Sequence, residues 1–332
     1  MKTFLKIVGG IALFIVAFVF GIVSWLSLRK PWSRPASTEK IEATPTRLAR
    51  GEYIVEHVSD CTGCHSDHVV KYGFPVKPGT EGEGGFVFDV KLGFPGVVAA
   101  QNITSDPEFG LAKWTDGEIL RAFREGVDRN GDALFPMMPY KHFRYMGDED
   151  AKSVVVYLRT LKPVHRGVPA KHIDFPVNLF VKFAPQPLSG PVQCPDPKKD
   201  HIAYGGYLVR IGGCIECHSP HDDKNNLIEA RLLSGGWQMI GPWGRNFTPN
   251  LTPHPTDSYL GRATREEFIG RFKAFESMTA MNAPDAQPGR NTVMPWLAMS
   301  HMSADDLGAI YDYLKTLKPI ANKVNAFPDA KG

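Results

Sequence analysis

The sequence predicts an all-α protein: two tandem helical domains behind an N-terminal transmembrane helix. Three observations predict it. An uncharged apolar run fills residues 7–28, the remaining chain contains an internal duplication, and apolar residues recur at helical spacing in each copy. The 332 residues suffice for two domains of ordinary size, each with its own core. A net charge of +3 gives no concentrated basic stripe of the kind nucleic acid requires. Five cysteines are too few for a disulfide scaffold at this length.

The first element is the run IVGGIALFIVAFVFGIVSWLSL, preceded by Lys2 and Lys6. A helix rising about 1.5 Å per residue over such a run crosses a hydrocarbon core of roughly 30 Å. A removable secretory signal has a shorter apolar region and a small-residue cleavage site. Here the run ends in Trp25 and then Arg29-Lys30. Residues 1–30 are therefore expected to be an uncleaved membrane anchor, a removed signal being the other reading. Lys2 and Lys6 on one side, and Arg29, Lys30 and Arg34 on the other, leave the positive-inside rule without a direction. Residues 31–45 are polar and proline-rich and read as a tether.

The duplication follows. GEYIVEHVSDCTGCHSD at 51–67 matches GGYLVRIGGCIECHSP at 205–220. Gly84-Gly85-Phe86 matches Gly235-Gly236-Trp237, and NIT at 102–104 matches NLT at 250–252. KWTDGEILRAF at 113–123 matches RATREEFIGRF at 262–272, and the block at 138–164 matches that at 294–320. These bounds place the first domain at 46–164 and the second at 201–325, with a tail at 326–332. The proline-rich segment 165–200 belongs to neither and is expected as a surface linker. About seven extra residues between Phe272 and Met294 read as an inserted loop.

Within each copy the helices are legible. Leu48, Val55 and Val58 give an apolar face leading into the first cysteine pair. Thr115 with Glu118, and Thr264 with Glu267, have the spacing of a capping box. Val154, Leu158 and Leu161, like Ile310, Leu314 and Leu317, mark a last helix stopped by Pro163 or Pro319.

The chemistry lies in CTGCH at 61–65 and CIECH at 214–218, which hold four of the five cysteines. Cysteines three apart share one side of a helical turn, so both thiols reach the two vinyl groups of one haem as thioethers. The histidine directly after then offers a ring nitrogen to the iron. A structural zinc site wants its two cysteine pairs about 15–20 residues apart, far closer than these. A thioredoxin-like dithiol would follow an apolar strand and has no need of the histidine. Two covalently bound haem c groups are expected, on Cys61, Cys64 and His65 and on Cys214, Cys217 and His218. Attachment of this kind takes place outside the bacterial cytoplasmic membrane, which puts residues 31–332 on the periplasmic side.

For the sixth iron ligand each repeat offers a methionine in a Met-Pro-aromatic context, Met138-Pro139-Tyr140 and Met294-Pro295-Trp296. Met146 and Met302 are the rivals; each directly precedes a helix start, where an apolar residue serves as a hydrophobic staple. Cys194 reads as a half-buried free thiol, with an intermolecular disulfide or a lipid site as the other reading.

The order of these motifs resembles class I cytochrome c domains. More closely, it is similar to the cytochrome c subunits of membrane-bound alcohol, gluconate and related sugar dehydrogenases, over nearly all of residues 48–320. The resemblance implies thioether links at Cys61, Cys64, Cys214 and Cys217, proximal ligands His65 and His218, and distal ligands Met138 and Met294. It also implies that the loops around Asn102 and Asn250 lie near the haem edges. Two departures stand out: those subunits usually carry three haem domains where this chain has two, and Ala263 stands where the first repeat has Trp114, which predicts a wetter or differently packed second pocket.

The expected function is that of a membrane-anchored periplasmic dihaem cytochrome c. It would pass electrons between a membrane quinol-oxidising or dehydrogenase complex and a soluble cytochrome or terminal oxidase. No catalytic residue, small-molecule substrate or nucleic-acid partner is expected. Service as the cytochrome subunit of a dehydrogenase is the alternative. A dihaem peroxidase is a third reading, against which the matched Met-Pro motifs argue.

Overall fold

A computed structural model describes residues 1–223 and 225–330. The protein is mostly helical, with one N-terminal apolar helix. That helix, α1 (Lys2–Leu28), has 27 residues and none of them is buried. At about 40 Å it is long and apolar enough to cross a membrane.

The repeats then build parallel series of helices. The first has α2 (Pro45–Tyr53), the turn α3 (Cys61–Cys64), α4 (Asp116–Glu125), α5 (Tyr140–Phe143) and α6 (Asp148–Leu158). After the short α7 (Val177–Phe180), the second has α8 (His201–Ile211), the turn α9 (Cys214–Cys217), α10 (Arg265–Lys273), α11 (Trp296–Ser300) and α12 (Ala304–Lys315). Their starts follow from side-chain caps. Thr44 caps α2 ahead of Pro45, and Asp200 caps α8. Both capping boxes form: Thr115 and Thr264 each accept from the amide three residues on at 3.2 Å, and Glu118 and Glu267 accept in return at 2.8 Å. The last helices end earlier than the apolar spacing suggests, leaving Leu161 and Leu317 just beyond them but still packed on the core.

In each repeat the first and last helices cross at a glycine. A Cβ on Gly51 would stand 2.0 Å from the Ser153 carbonyl oxygen, and one on Gly205 would stand 1.9 Å from that of Ala309. Only glycine lets the backbones approach this closely.

The all-α expectation needs one correction. Short antiparallel strands occupy part of the glycine-rich loops: β1 (Val87–Phe88), β2 (Gly96–Ala99) and β3 (His172–Ile173) in one sheet, β4 (Gln238–Gly241) and β5 (Gly244–Phe247) in another. Strands of two to four residues carry too little period-two alternation to be read in advance. β3 lies in the 165–200 segment and pairs with β2, so that segment is tied to the first repeat by a ladder rather than only lying over it.

One contiguous cluster of buried residues draws on both repeats, including Val55, Val58 and Met146 from the first and Leu208, Ile211 and Met302 from the second. The cores merge because the contacts between repeats are reciprocal. Tyr53 Oη donates to Asp306 Oδ2 at 2.6 Å and accepts from the Ser303 amide at 3.0 Å. Its counterpart Tyr207 donates to Asp150 Oδ2 at 2.6 Å and accepts from the Gly147 amide at 3.2 Å. Each repeat thus closes the start of the other's last helix, as in a two-fold interface.

Candidate haem sites

Each cysteine pair sits on a single helical turn entered through a left-handed residue, Asp60 (φ 46°) in the first repeat and Gly213 (φ 71°) in the second. The turns close with His65 N–H donating to the Cys61 carbonyl at 3.0 Å and His218 N–H to that of Cys214 at 2.9 Å. All four thiols are free. Cys64 keeps open surface although the protein around it pushes its thiol up to about 12, through burial first and the Asp60 carboxylate second. Burial likewise pushes Cys214 up to about 11 and Cys217 up to about 12, the latter with added repulsion from Cys214, Cys64 and Glu216. The segments leading into the two turns meet: Ser59 Oγ donates to the Ile211 carbonyl at 2.9 Å.

The histidines carry the most specific geometry. His65 Nδ1 lies 2.6 Å from the Gln101 carbonyl oxygen, and His218 Nδ1 lies 2.9 Å from that of Pro249. A carbonyl only accepts, so in both rings Nδ1 carries the proton and Nε2 keeps its lone pair. Burial lowers both pKa values and holds the rings neutral. Among the described residues neither Nε2 has a hydrogen-bond partner. A neutral imidazole, oriented through Nδ1 and presenting a free Nε2, is what an iron ligand requires. The residues fit the group that the CxxCH pattern implies.

The acceptor carbonyls are held by residues whose role the sequence did not disclose. Asn102 Nδ2 donates to the Val164 carbonyl at 2.7 Å, while its Oδ1 accepts from the Thr104 amide and hydroxyl at 2.9 and 2.6 Å. Asn250 does the same with Ile320 at 2.8 Å and with Thr252 at 2.8 and 2.7 Å. Each asparagine therefore fixes the loop whose preceding residue orients the histidine. The Gly-Gly motifs complete the arrangement, since Gly84 N–H donates to the His65 carbonyl at 2.8 Å and Gly235 N–H to that of His218 at 2.7 Å. Gly84 has φ +76°, and a Cβ there would lie 2.6 Å from the Ala100 carbonyl oxygen. The repeated NIT and NLT were the signal available, but only their neighbours' positions reveal the task.

Met138 and Met294 occupy equivalent turns ahead of α5 and α11, and both are half-buried against the core cluster. Met146 and Met302 are fully buried, at 1% and 2% exposure, as core side chains. Ala263 is buried and lines an open hollow with Tyr259, Arg262, Glu267 and Arg271, where the first repeat has the Trp114 indole. His142 reaches across to the second cysteine turn, its Nε2–H donating to Glu216 Oε2 at 2.7 Å. Burial alone would raise the Glu216 pKa, but this bond and that of His221 hold it below the ordinary carboxylate value. His57 packs against the His301 ring at 5.3 Å. Cys194 is a half-buried thiol beside Asp150 and Arg50, pushed up to about 11 by burial and the Asp150 carboxylate.

Two turns, each with a thiol pair and an imidazole set to offer Nε2, are the equipment of a c-type cytochrome, in which haem c is covalently bound. Comparison with known proteins agrees. The chain is 31% identical over 257 residues to a component of the nicotinate dehydrogenase of Pseudomonas putida, covering 70% of this chain and 20% of that protein. It is 29% identical over 319 residues to the gluconate 2-dehydrogenase cytochrome c subunit of Pantoea cypripedii, covering 91% of this chain and 64% of that one. With a dihaem cytochrome c-type protein of Cereibacter sphaeroides it shares 26% identity over 328 residues, 95% of this chain and 99% of the other. The chain thus spans one-fifth of the first relative and under two-thirds of the second. No family model matches. The chain is similar to cytochrome c subunits of dehydrogenases and to a dihaem cytochrome, as its motifs anticipate.

Proposed function

We propose that the chain is a membrane-tethered dihaem cytochrome c that moves single electrons between a quinol-oxidising or dehydrogenase complex and a cytochrome or terminal oxidase. The observation that carries this reading is the paired Nδ1-to-carbonyl bond, His65 to Gln101 and His218 to Pro249, each directly behind a thiol pair. Haem c, when bound, supplies the Fe(II)/Fe(III) couple. The chain's own part is to hold two such groups: Cys61, Cys64, Cys214 and Cys217 as thioether partners, His65 and His218 as proximal ligands, and Met138 and Met294 as distal ones. With a donor on both faces no position is left open for substrate, so the chain transfers electrons and makes no bonds.

The domains span residues 46–164 and 201–325, and α1 tethers them to the bacterial cytoplasmic membrane. The haem-bearing part lies on the periplasmic side, because thioether attachment takes place there. A second reading, favoured by the names of the relatives, is that this electron carrier serves as the cytochrome subunit of a dehydrogenase complex. It uses the same residues and differs only in the donor.

The test is mass spectrometry of the denatured protein together with optical and EPR spectra of the native one. The expected result is a mass increment of two haems and two low-spin irons with sulfur-to-iron charge-transfer absorption. A chain weighing no more than its amino acids overturns the proposal, and a high-spin iron in either repeat overturns the electron-carrier role.

A further inference from the structure

Three phenylalanines of the 165–200 segment stand out from the surface: Phe175 at 69% exposure, Phe180 at 59% and Phe183 at 44%. Between them Leu179 turns inward at 5% exposure and pins the segment. The segment is held to the body on both flanks. Upstream, β3 pairs with β2 and the Asp174 amide donates to the Pro95 carbonyl at 3.0 Å. Downstream, the Arg144 guanidinium donates to Gln186 Oε1 at 3.0 Å and to the Pro187 carbonyl at 3.2 Å. The three rings are thus displayed on a fixed foot, not on a free loop.

The foot meets the end of α1. Lys182 Nζ donates to the carbonyls of Leu26 and Ser27, at 3.2 and 2.5 Å, which belong to the last turn of that helix and lack intrahelical partners. The Arg29 guanidinium lies 4.5 Å from the Phe183 ring centroid and 5.3 Å from that of Trp25. A spanning helix ends at the hydrocarbon boundary, so whatever caps its last turn lies at headgroup depth. At that depth aromatic rings are favourable and cationic side chains meet phosphates.

We propose that residues 175–183 form a second membrane contact, with Phe175, Phe180 and Phe183 seated in the bilayer interface and Arg29 and Lys182 facing anionic phospholipid headgroups. The proposal rests on α1 being a membrane span. Its consequence is orientational: one span is a swivel, whereas a span and a foot together fix which side of the body faces the membrane.

The test uses the full haem-loaded chain in liposomes of phosphatidylethanolamine and phosphatidylglycerol. Nitroxide labels are placed by Phe180→Cys or Phe183→Cys on a Cys194→Ser background, with Val16→Cys in the span and Met281→Cys, 78% exposed in the second repeat, as references. Collision rates with oxygen and with a water-soluble nickel chelate are compared, each against the same label under nitrogen. The expected oxygen-to-nickel ratio at 180 and 183 exceeds that at 281 by roughly fivefold or more. A ratio equal to that at 281, with Val16 in lipid, overturns the foot and leaves the anchor standing. A water-like Val16 label overturns the anchor and the foot together. Labels that meet the chelate in liposomes but are shielded from both reagents in native membranes assign the rings to a protein partner and overturn the lipid contact.

Discussion

Tyr53 and Asp306, one from each repeat, are joined by a 2.6 Å hydroxyl-to-carboxylate hydrogen bond, which Tyr207 and Asp150 repeat at the same distance. Asp150 is also gripped by Arg50 through two bonds of 2.8 Å. Among the described residues, removing the Tyr53 hydroxyl leaves Asp306 Oδ2 with the long 3.5 Å bond from Tyr204 Oη, and removing that of Tyr207 leaves the buried Asp150 Oδ2 with Arg50. Tyr53→Phe and Tyr207→Phe are each expected to cost about 1–3 kcal/mol, read as a shift in the urea midpoint. Asp150 keeps its arginine and Asp306 has none, so the Tyr53 variant should lose more.

Met138→Ala or Met294→Ala should each abolish the sulfur-to-iron charge-transfer band of one haem and lower its potential. If both variants leave the near-infrared spectrum unaltered, the distal assignment is wrong.

The buried methionines should respond in the opposite way. Met146→Ala or Met302→Ala opens a core cavity and costs about 2–5 kcal/mol in denaturant titration. The charge-transfer band should persist in both. Loss of the band with little loss of stability would make these residues the ligands.

Asn250→Ala strips a buried side chain that satisfies the Thr252 amide and hydroxyl and the Ile320 carbonyl. The expected cost is about 1–3 kcal/mol for a group left unsatisfied. With the Pro249 carbonyl no longer fixed, the potential of the second haem should shift while that of the first stays. Equal shifts in both would deny the asparagine this positioning role.

Burial, then the facing His301, depresses the His57 pKa below its ordinary value, with Glu52 opposing. Above the unfolded-state value of about 6.5 the ring is neutral in both states and stability is at its full level. As pH falls from there toward the lower folded value, only the unfolded chain takes up the proton and stability declines. His57→Gln should flatten this slope between pH 7.5 and 5.5 in urea titrations, and an unchanged slope would assign it to another group.

Much of the fold was written locally. Thr115 with Glu118 and Thr264 with Glu267 announce their helices, because a capping box acts within four residues. The apolar run before Arg29 announces α1 for the same reason. The cysteine pairs and their histidines stand out because the C-x-x-C-H pattern has a fixed short spacing. What the sequence hid depends on distant partners. Asn102 finds Val164, and Tyr53 finds Asp306, across separations that no local pattern encodes. The strand β3 was hidden because its ladder partner β2 lies far upstream.

The exchanged tyrosine–aspartate contacts are the signature of a self-complementary surface, one that meets its own copy about a two-fold axis. Two such copies on one polypeptide amount to a homodimer whose halves can no longer part. Once dilution cannot separate them, each half is free to diverge without losing its mate. The two halves differ at matched positions, with Ala263 where the first has Trp114 and Gly213 where it has Asp60.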